Sequence, residues 1–328
     1  MEKNYSLIVP KILERQRIDK YISQFIENAS RTKVQKAIDL GYVTVNGDII
    51  KSNYLVRPND EIEIELEIPD IKDVLPENIP LDIAYEDEYL MIVNKPSGMV
   101  VHPAYKNYSG TLVNAIMYYA KQKNDTLSDL NGFERAGIVH RLDKDTSGLI
   151  VIAKNELTHR KLSEQFFHHT IEREYNAIVW GKLKNKSGEI KNKLGRDKKD
   201  RKKVAVLKED DDAGKLAITN YEVIAEYDFL SLVKLNLETG RTHQIRVHLS
   251  NMDHPVFGDE TYGGREPRSV NLTSNMKAQI KNLLEIIPRQ ALHAKVIGFI
   301  HPNTNENLRF ESELPFDMKN ILLKISSK

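Results

Sequence analysis

His140-Arg141-Leu142-Asp143-Lys144-Asp145-Thr146-Ser147-Gly148-Leu149-Ile150-Val151-Ile152-Ala153 is a charge-dense loop that runs directly into an apolar stretch rich in branched residues. Such a stretch, bounded by turn residues, reads as a β-strand. Outward from it the same signature recurs at Leu90-Met91-Ile92-Val93, Ala177-Ile178-Val179-Trp180, Leu230-Ser231-Leu232-Val233-Lys234-Leu235 and Lys295 to Ile300. Helical periodicity is rarer, its example being Glu156 to Phe167 with Leu157, Leu162, Phe166 and Phe167 as the apolar set. Strands outnumber helices and do not alternate with them, which predicts a mixed α+β domain on a largely antiparallel sheet. No internal repeat and no Gly-x-Gly-x-x-Gly loop is visible.

Toward the amino terminus, Pro69, Pro76 and Pro80 break the chain. Prolines at that density sustain neither a helix nor a central strand. Residues 69–80 therefore read as an extended linker between a small α/β module at 1–68 and a larger domain at 81–328. In the module, Ile18, Tyr21, Ile22, Phe25 and Ile26 fall at helical spacing. Ser30 is placed to cap a second helix carrying Val34, Ala37 and Ile38, with Gly41 at its C-terminal cap. Tyr42-Val43-Thr44-Val45 meets Asn46-Gly47, a hairpin signal, and Glu61-Ile62-Glu63-Ile64-Glu65-Leu66 alternates strictly as a half-buried strand does.

The 328 residues suit about two domains. There is no cysteine, which excludes disulfides, a thiolate nucleophile and thiolate-bound metal, and fits a reducing compartment. The first ten residues hold no signal peptide, and nothing approaches a spanning helix, so a soluble, cytoplasmic protein away from membranes is expected. Lys plus Arg number 48 against 47 Asp plus Glu, a net charge of +1. A polyanion must then be met by segregated basic patches, not by a global field. Two exist. From Arg15 to Arg57 eight basic residues face four acidic ones, a net of +4. Lys182 to Lys203 carries eleven basic residues against three acidic ones, followed by the acidic block Glu209 to Asp212. The first patch reads more readily as a solvated helix surface than as phosphate contact, and the second reads equally as either. In the first, Arg31, Lys33 and Lys36 crowd the opening turns of a helix, whose amide end also favours anions. In the second, an exposed loop or ribbon, Lys198, Lys199 and Arg201 are the candidates.

The loop from His140 to Gly148 is the densest cluster of functional side chains. Asp143 and Asp145 there are turn carboxylates on the plainest reading. A second cluster, Glu238-Thr239-Gly240-Arg241-Thr242-His243-Gln244-Ile245-Arg246-Val247-His248-Leu249, reads as a helix start capped by Thr242 with two surface histidines. His243 and His248 are five apart, which does not give a zincin pair, so no metal site is expected. Ser147 lies in Thr-Ser-Gly and lacks the Gly-x-Ser-x-Gly elbow of serine hydrolases. Tyr175, at the entrance of a strand, reads alone as a half-buried core tyrosine.

Five fragments together are specific. They are Asn94-Lys95-Pro96-Ser97-Gly98 with His102-Pro103, His140-Arg141-Leu142-Asp143 with Thr146-Ser147-Gly148, Arg173-Glu174-Tyr175-Asn176-Ala177-Ile178-Val179-Trp180-Gly181, Gly240 to Leu249, and Arg289-Gln290-Ala291-Leu292-His293-Ala294. In this order they resemble the RluA/RluD family of RNA pseudouridine synthases over about Leu81 to Met318. Residues 15–65 resemble the S-four-type RNA-binding module, named for a small-subunit ribosomal protein. The resemblance implies a cofactor-free isomerase that moves the uracil of specific uridines from its nitrogen to its carbon-5 linkage in structured RNA. It implies large-subunit ribosomal RNA or its precursor particle as substrate, and a monomer is expected. It assigns Asp143 as nucleophile, Arg246 as its cation and Tyr175 as the aromatic that stacks on the flipped base. Arg141, His140, Arg241, Gln244 and Leu292 become substrate-binding candidates. Lys95 joins them, although its motif reads as mainly architectural.

Overall fold

In a computed structural model the described residues are 2–10, 16–26, 31–67, 74–103, 107–200, 203–267 and 273–326. The chain divides into two compact units, Met1–Asp73 and Val74–Lys328.

The first unit holds β1 (Glu2–Ile8), α1 (Ile18–Phe25), α2 (Arg31–Asp39), β2 (Val43–Val45), β3 (Asp48–Ile49) and β4 (Glu61–Glu67). Its strands form one sheet in the order β1-β4-β2-β3, with antiparallel pairing throughout. The Glu-Ile alternation of β4 does what its period requires: Ile62 and Ile64 are buried and the glutamates face water. They meet Ile18, Tyr21 and Ile22 of α1 and Val34 and Ile38 of α2 in one core. Phe25, expected on that face, is exposed and packs only its ring on Tyr21. Asn46 and Gly47 take positive φ (52° and 86°), the two-residue turn that the dipeptide signals. Gly41 closes α2 at φ 79°, with Tyr42 N–H bonded to Ala37 O at 2.9 Å. Ser30, the expected cap, lies outside the described residues.

The second unit contains β5 (Ile83–Glu86), β6 (Leu90–Lys95), α3 (Leu112–Lys123), β7 (Ser147–Ala153), α4 (Glu156–Phe167) and β8 (Glu172–Trp180). There follow β9 (Ser187–Arg196), β10 (Val204–Leu207), β11 (Lys215–Glu226), β12 (Leu230–Leu237) and α5 (Gln244–Asn251). The chain closes with α6 (Ser274–Ile286), β13 (Leu292–Ile300), β14 (Asn307–Glu311) and α7 (Phe316–Ser326). Ten strands make one sheet in the order β10-β9-β11-β12-β8-β13-β7-β6-β5, with β14 alongside β13. Its pairs are antiparallel except β13 with β7, which fits the α+β expectation.

The continuous apolar run of β7 is explained by burial on both faces. Ile150 and Ile152 join a core with Leu112 and Ile116 of α3. Leu149 and Val151 join another with Leu162 of α4. A strand covered on both sides needs no polar alternation. At its start, Gly148 has φ 117°, and a Cβ there would lie 2.1 Å from Ala294 O. Only glycine lets β7 close on β13.

Two expectations change. Residues 74–80 are not a free linker. Val74 is buried, Leu75 O accepts from Asn114 Nδ2 (2.8 Å), and the Glu77 carboxylate accepts from Gly110 N–H. Prolines bar regular structure there but not docking onto α3; residues 69–73 lie outside the described set. In α4 the buried face is Thr158, His159 and Leu162, whereas Leu157 and Phe167 are exposed.

Candidate active site

A cleft of ≈ 520 Å³ opens where the loop before β7, the middle of β8, the start of β13 and the start of α5 converge. Asp143, Arg141, Tyr175, Arg241, His243, Arg246 and Leu292 line it. The sheet explains the convergence: β8 is bonded to β12 and β13, placing Tyr175 opposite Leu235 and Ala294. The parallel β7–β13 junction brings the Asp143 loop alongside.

Arg246 is the hub. It is 6% exposed and donates from Nη1 to Asp143 Oδ2 at 3.0 Å. Its Nε and Nη2 form a two-pronged pair with Asp259, at 2.7 and 2.9 Å. Asp259 is fully buried and also accepts the N–H groups of Thr261 and Tyr262. The guanidinium lies over the Tyr262 ring, 5.0 Å from its centroid. Burial works against this charge, yet hydrogen bonding and charge from Asp259, joined by Asp143, hold its pKa above the usual value. One arginine is thus fixed by a buried carboxylate and presents its free edge to a second carboxylate in the cleft. Planar, two-pronged pairing is what a guanidinium offers and an ammonium does not.

His243 faces Asp143 from the other side, its Nε2 3.9 Å from Asp143 Oδ1. Its Nδ1 and the Tyr262 hydroxyl are 2.8 Å apart, and that hydroxyl accepts Val204 N–H from β10 (3.1 Å). Burial keeps the His243 pKa below its ordinary value, with the Asp143 charge opposing and the Arg246 charge adding to the shift. Thr242 does not cap α5. His243 occupies that position in the left-handed region (φ 54°) without capping the helix through its side chain, and its ring lines the cleft. His248, expected at the surface, is fully buried with Nδ1 2.9 Å from Thr219 Oγ1.

Tyr175 is pushed up to about 12 by burial, with Arg173 opposing and Asp143 adding to the shift, so it is neutral at physiological pH. His140 lines the cleft but is occupied: its Nε2 accepts Val151 N–H (3.1 Å) and its ring stacks on Phe166 at 4.5 Å. Burial, helped by the Arg173 charge, drives its pKa down to about 3.

Two of the expected substrate contacts are structural. Lys95 is fully buried and spends three N–H donors on the carbonyls of Pro96, Met99 and Lys144, at 2.8 to 3.0 Å. Burial pulls its pKa down to about 7, and no donor remains for a ligand. Gln244 is 3% exposed; its Oε1 accepts from Thr239 Oγ1 and Arg241 N–H. Its Nε2 donates to Ile218 O and Thr219 Oγ1, so both ends of the amide serve the loop around Arg241. Arg241 itself anchors through Nε to Leu216 O (3.0 Å) while lining the cleft.

The basic candidates lie elsewhere. Arg31 pairs with buried Asp19 in the first unit, alongside Arg17. The side chains of Lys33 and Lys36 and the whole of Arg201 lie outside the described residues. Lys198 sits at the tip of the β9–β10 ribbon and pairs with Asp211 of the acidic block at 3.0 Å; Lys199 donates its N–H to Asp197. The ribbon packs on α5, where Leu194, Ala217 and Val247 share a core with Val204, Val206 and Tyr262.

Sequence reasoning missed Asp259 and Tyr262, and gave no role to Arg289 and Arg173 although each opens a quoted fragment. The first two lie in Phe257-Gly258-Asp259-Glu260-Thr261-Tyr262-Gly263-Gly264, a glycine-dense turn whose one buried acid was a legible signal. Arg289 pairs with Asp317 and donates to the carbonyls of Asp145 and Gln290, tying the loop after Asp143 to β13. Among the described residues no group of three histidine or acidic side chains could hold a metal ion.

The family model for RNA pseudouridylate synthase matches residues 89–251, and that for the S4 domain matches residues 16–62. An uncharacterized RNA pseudouridine synthase of Chlorobaculum parvum is 48% identical over 320 residues, covering 98% of this chain and 97% of that protein. The ribosomal large subunit pseudouridine synthase D of Zymomonas mobilis is 39% identical over 316 residues, covering 95% of each. The solved structure of human RNA pseudouridylate synthase domain containing 4 shares the fold, with a TM-score of 0.57 at 23% identity over 74% of this chain and 92% of that one. With identity of this order along nearly its whole length, and a carboxylate–arginine cleft in the matched domain, the chain belongs to the RluA/RluD family of RNA pseudouridine synthases and carries an amino-terminal S4 domain.

Proposed function

We propose that this isomerase acts on large-subunit ribosomal RNA, takes one uridine flipped out of the folded strand into the cleft, and uses the Asp143 carboxylate on its sugar. The observation that carries the reading is the 3.0 Å contact between Asp143 and an arginine already committed to buried Asp259. The reaction breaks the bond from the anomeric carbon to the ring nitrogen, turns the uracil and rejoins it through carbon-5. Nothing is oxidised or reduced overall.

An anionic oxygen is needed when the sugar loses its base, whether it serves as nucleophile or base. A substrate that fills the cleft displaces water and raises the cost of that charge. Arg246 offsets the cost, and because Asp259 holds it, it needs no reorganisation during reaction. The neutral ring of Tyr175 offers a stacking face that compensates part of the stacking lost when a base leaves the helix. The S4 domain adds RNA affinity outside the cleft, and the relatives named for the ribosomal large subunit support that substrate.

Mapping pseudouridines in unmodified ribosomal and transfer RNA transcripts, by carbodiimide labelling and primer extension, tests the substrate class. The expected stops fall in the large-subunit transcript. Stops confined to transfer RNA would overturn that assignment and leave the chemistry standing.

A further inference from the structure

Phe167 ends α4 and is 77% exposed, yet it lines the cleft. Its neighbour Phe166 turns inward to stack on His140, so consecutive aromatics occupy the floor and the lip of one opening. The His168 ring stands edge-on to Phe167 at 5.1 Å, and His169, with φ 58°, also lines the cleft. A lone exposed apolar residue is ordinary; the charge around this one is not. Arg141, Arg173 and Arg241 line the same cleft, and Asp143 is the one carboxylate among its lining residues, already held by Arg246. Arg173 donates Nη2 to the carbonyls of Leu237 and Glu238, while its buried Nε has no hydrogen-bond partner.

We propose that Phe167 is a stacking platform for a base adjacent to the flipped uridine, and that it helps decide which RNA sequences bind productively. The proposal rests on the reading that the cleft receives a uridine from RNA. An aromatic face beside surplus guanidinium groups suits a chain of flat bases on an anionic backbone. A second copy of this protein would bring the same cations and repel. Because stacking strength sets preference at such platforms, a purine neighbour is favoured over a pyrimidine.

The test compares wild type with Phe167→Ala and Phe167→Trp, on an unmodified large-subunit ribosomal RNA transcript and on a uridine-rich 12-mer. Removing one base–aromatic stack weakens RNA binding by about 5- to 100-fold. Phe167→Ala is therefore expected to raise KM by that range while kcat stays within about twofold. Phe167→Trp is expected to bind as wild type does, with its added emission quenched by the 12-mer; Trp180 is buried and supplies a constant background. Unchanged affinity of Phe167→Ala for both RNAs, or emission that the 12-mer leaves unmoved, would overturn the proposal. So would a wild-type dimer in sedimentation that Phe167→Ala abolishes, which would make the patch a self-contact. The 12-mer reports stacking without turnover. Quenching in a protein that isomerises nothing would defeat the ribosomal-substrate reading and keep the platform.

Discussion

Asp143 and Arg246 are 103 positions apart in sequence and 3.0 Å apart in space. What makes the contact productive is the third group, Asp259, whose buried carboxylate takes the Nε and Nη2 donors of the arginine and leaves its Nη1 for Asp143. Arg246→Lys keeps the charge and loses the fork. Hydrogen bonds to charged groups are worth roughly 1.5–3 kcal/mol each. The expected kcat is therefore lower by about 10²-fold, with unfolding free energy reduced by only about 1–3 kcal/mol. Steady-state kinetics and urea denaturation on one preparation check both; near-normal turnover would remove Arg246 from the account. At this scale the sequence was only partly legible. Asp143, Arg246 and Tyr175 were singled out because they sit in recognisable fragments, and all three line one cleft. Gln244, a substrate-binding candidate, spends its amide on the loop around Arg241, which polarity in a motif does not reveal, and Lys95 spends its donors on carbonyls as an architectural motif would. Asp259 was missed because the glycine-dense turn from Phe257 to Gly264, which carries the signal, was not read for it.

Among the elements, the β7–β13 junction does most to position the chemistry. It is a parallel contact of two residue pairs, His293 with Ser147 and Ala294 with Gly148. Ser147 Oγ and His293 Nδ1 lie 3.0 Å apart across it, and Gly148 has no room for a Cβ. Gly148→Ala must therefore push the strands apart or strain a φ of 117°, and mutations of that kind cost about 2–4 kcal/mol. The expected results are a lower midpoint in urea and a kcat reduced along with it, since Asp143 lies five residues upstream; an unchanged midpoint would show that the junction yields freely. Strand positions at β6, β7, β8 and β12 were legible because branched residues cluster there. Helices α3, α6 and α7 were not, since polar residues interrupt their apolar ones, and in α3 some of these find specific partners. Asn114, which completes a capping box with Thr111 while fixing Leu75, is an example. The start of α5 was misread for a related reason: a left-handed histidine is a local conformation that only the packing around Tyr262 selects.

Over the whole molecule, the buried histidines make stability depend on pH. His248 and His293 are 0% and 1% exposed, and burial, aided for His293 by nearby cations, lowers each to about 4. In the unfolded chain both titrate near 6.5. The unfolded state therefore binds more protons than the folded one between about pH 4 and 6.5. Stability is fully present above 6.5 and is lost as pH falls through that window. The slope approaches about 1.4 kcal/mol per pH unit for each histidine. Urea midpoints at pH 7.5, 6.0 and 5.0 are expected to fall in that order, and His248→Gln is expected to flatten the trend; a flat wild-type profile would contradict it. The division into two units and the α+β class followed from proline density and strand spacing, which act over long stretches. The docking of residues 74–80 did not, because it depends on one carboxylate meeting one amide. The central claim, that the Asp143 carboxylate drives the isomerisation, is tested most directly by tritium release from carbon-5-labelled uridine in ribosomal RNA. Wild type is expected to release label, and Asp143→Asn to release none above background while binding the same RNA with similar affinity. Release by Asp143→Asn at the wild-type rate would contradict the claim.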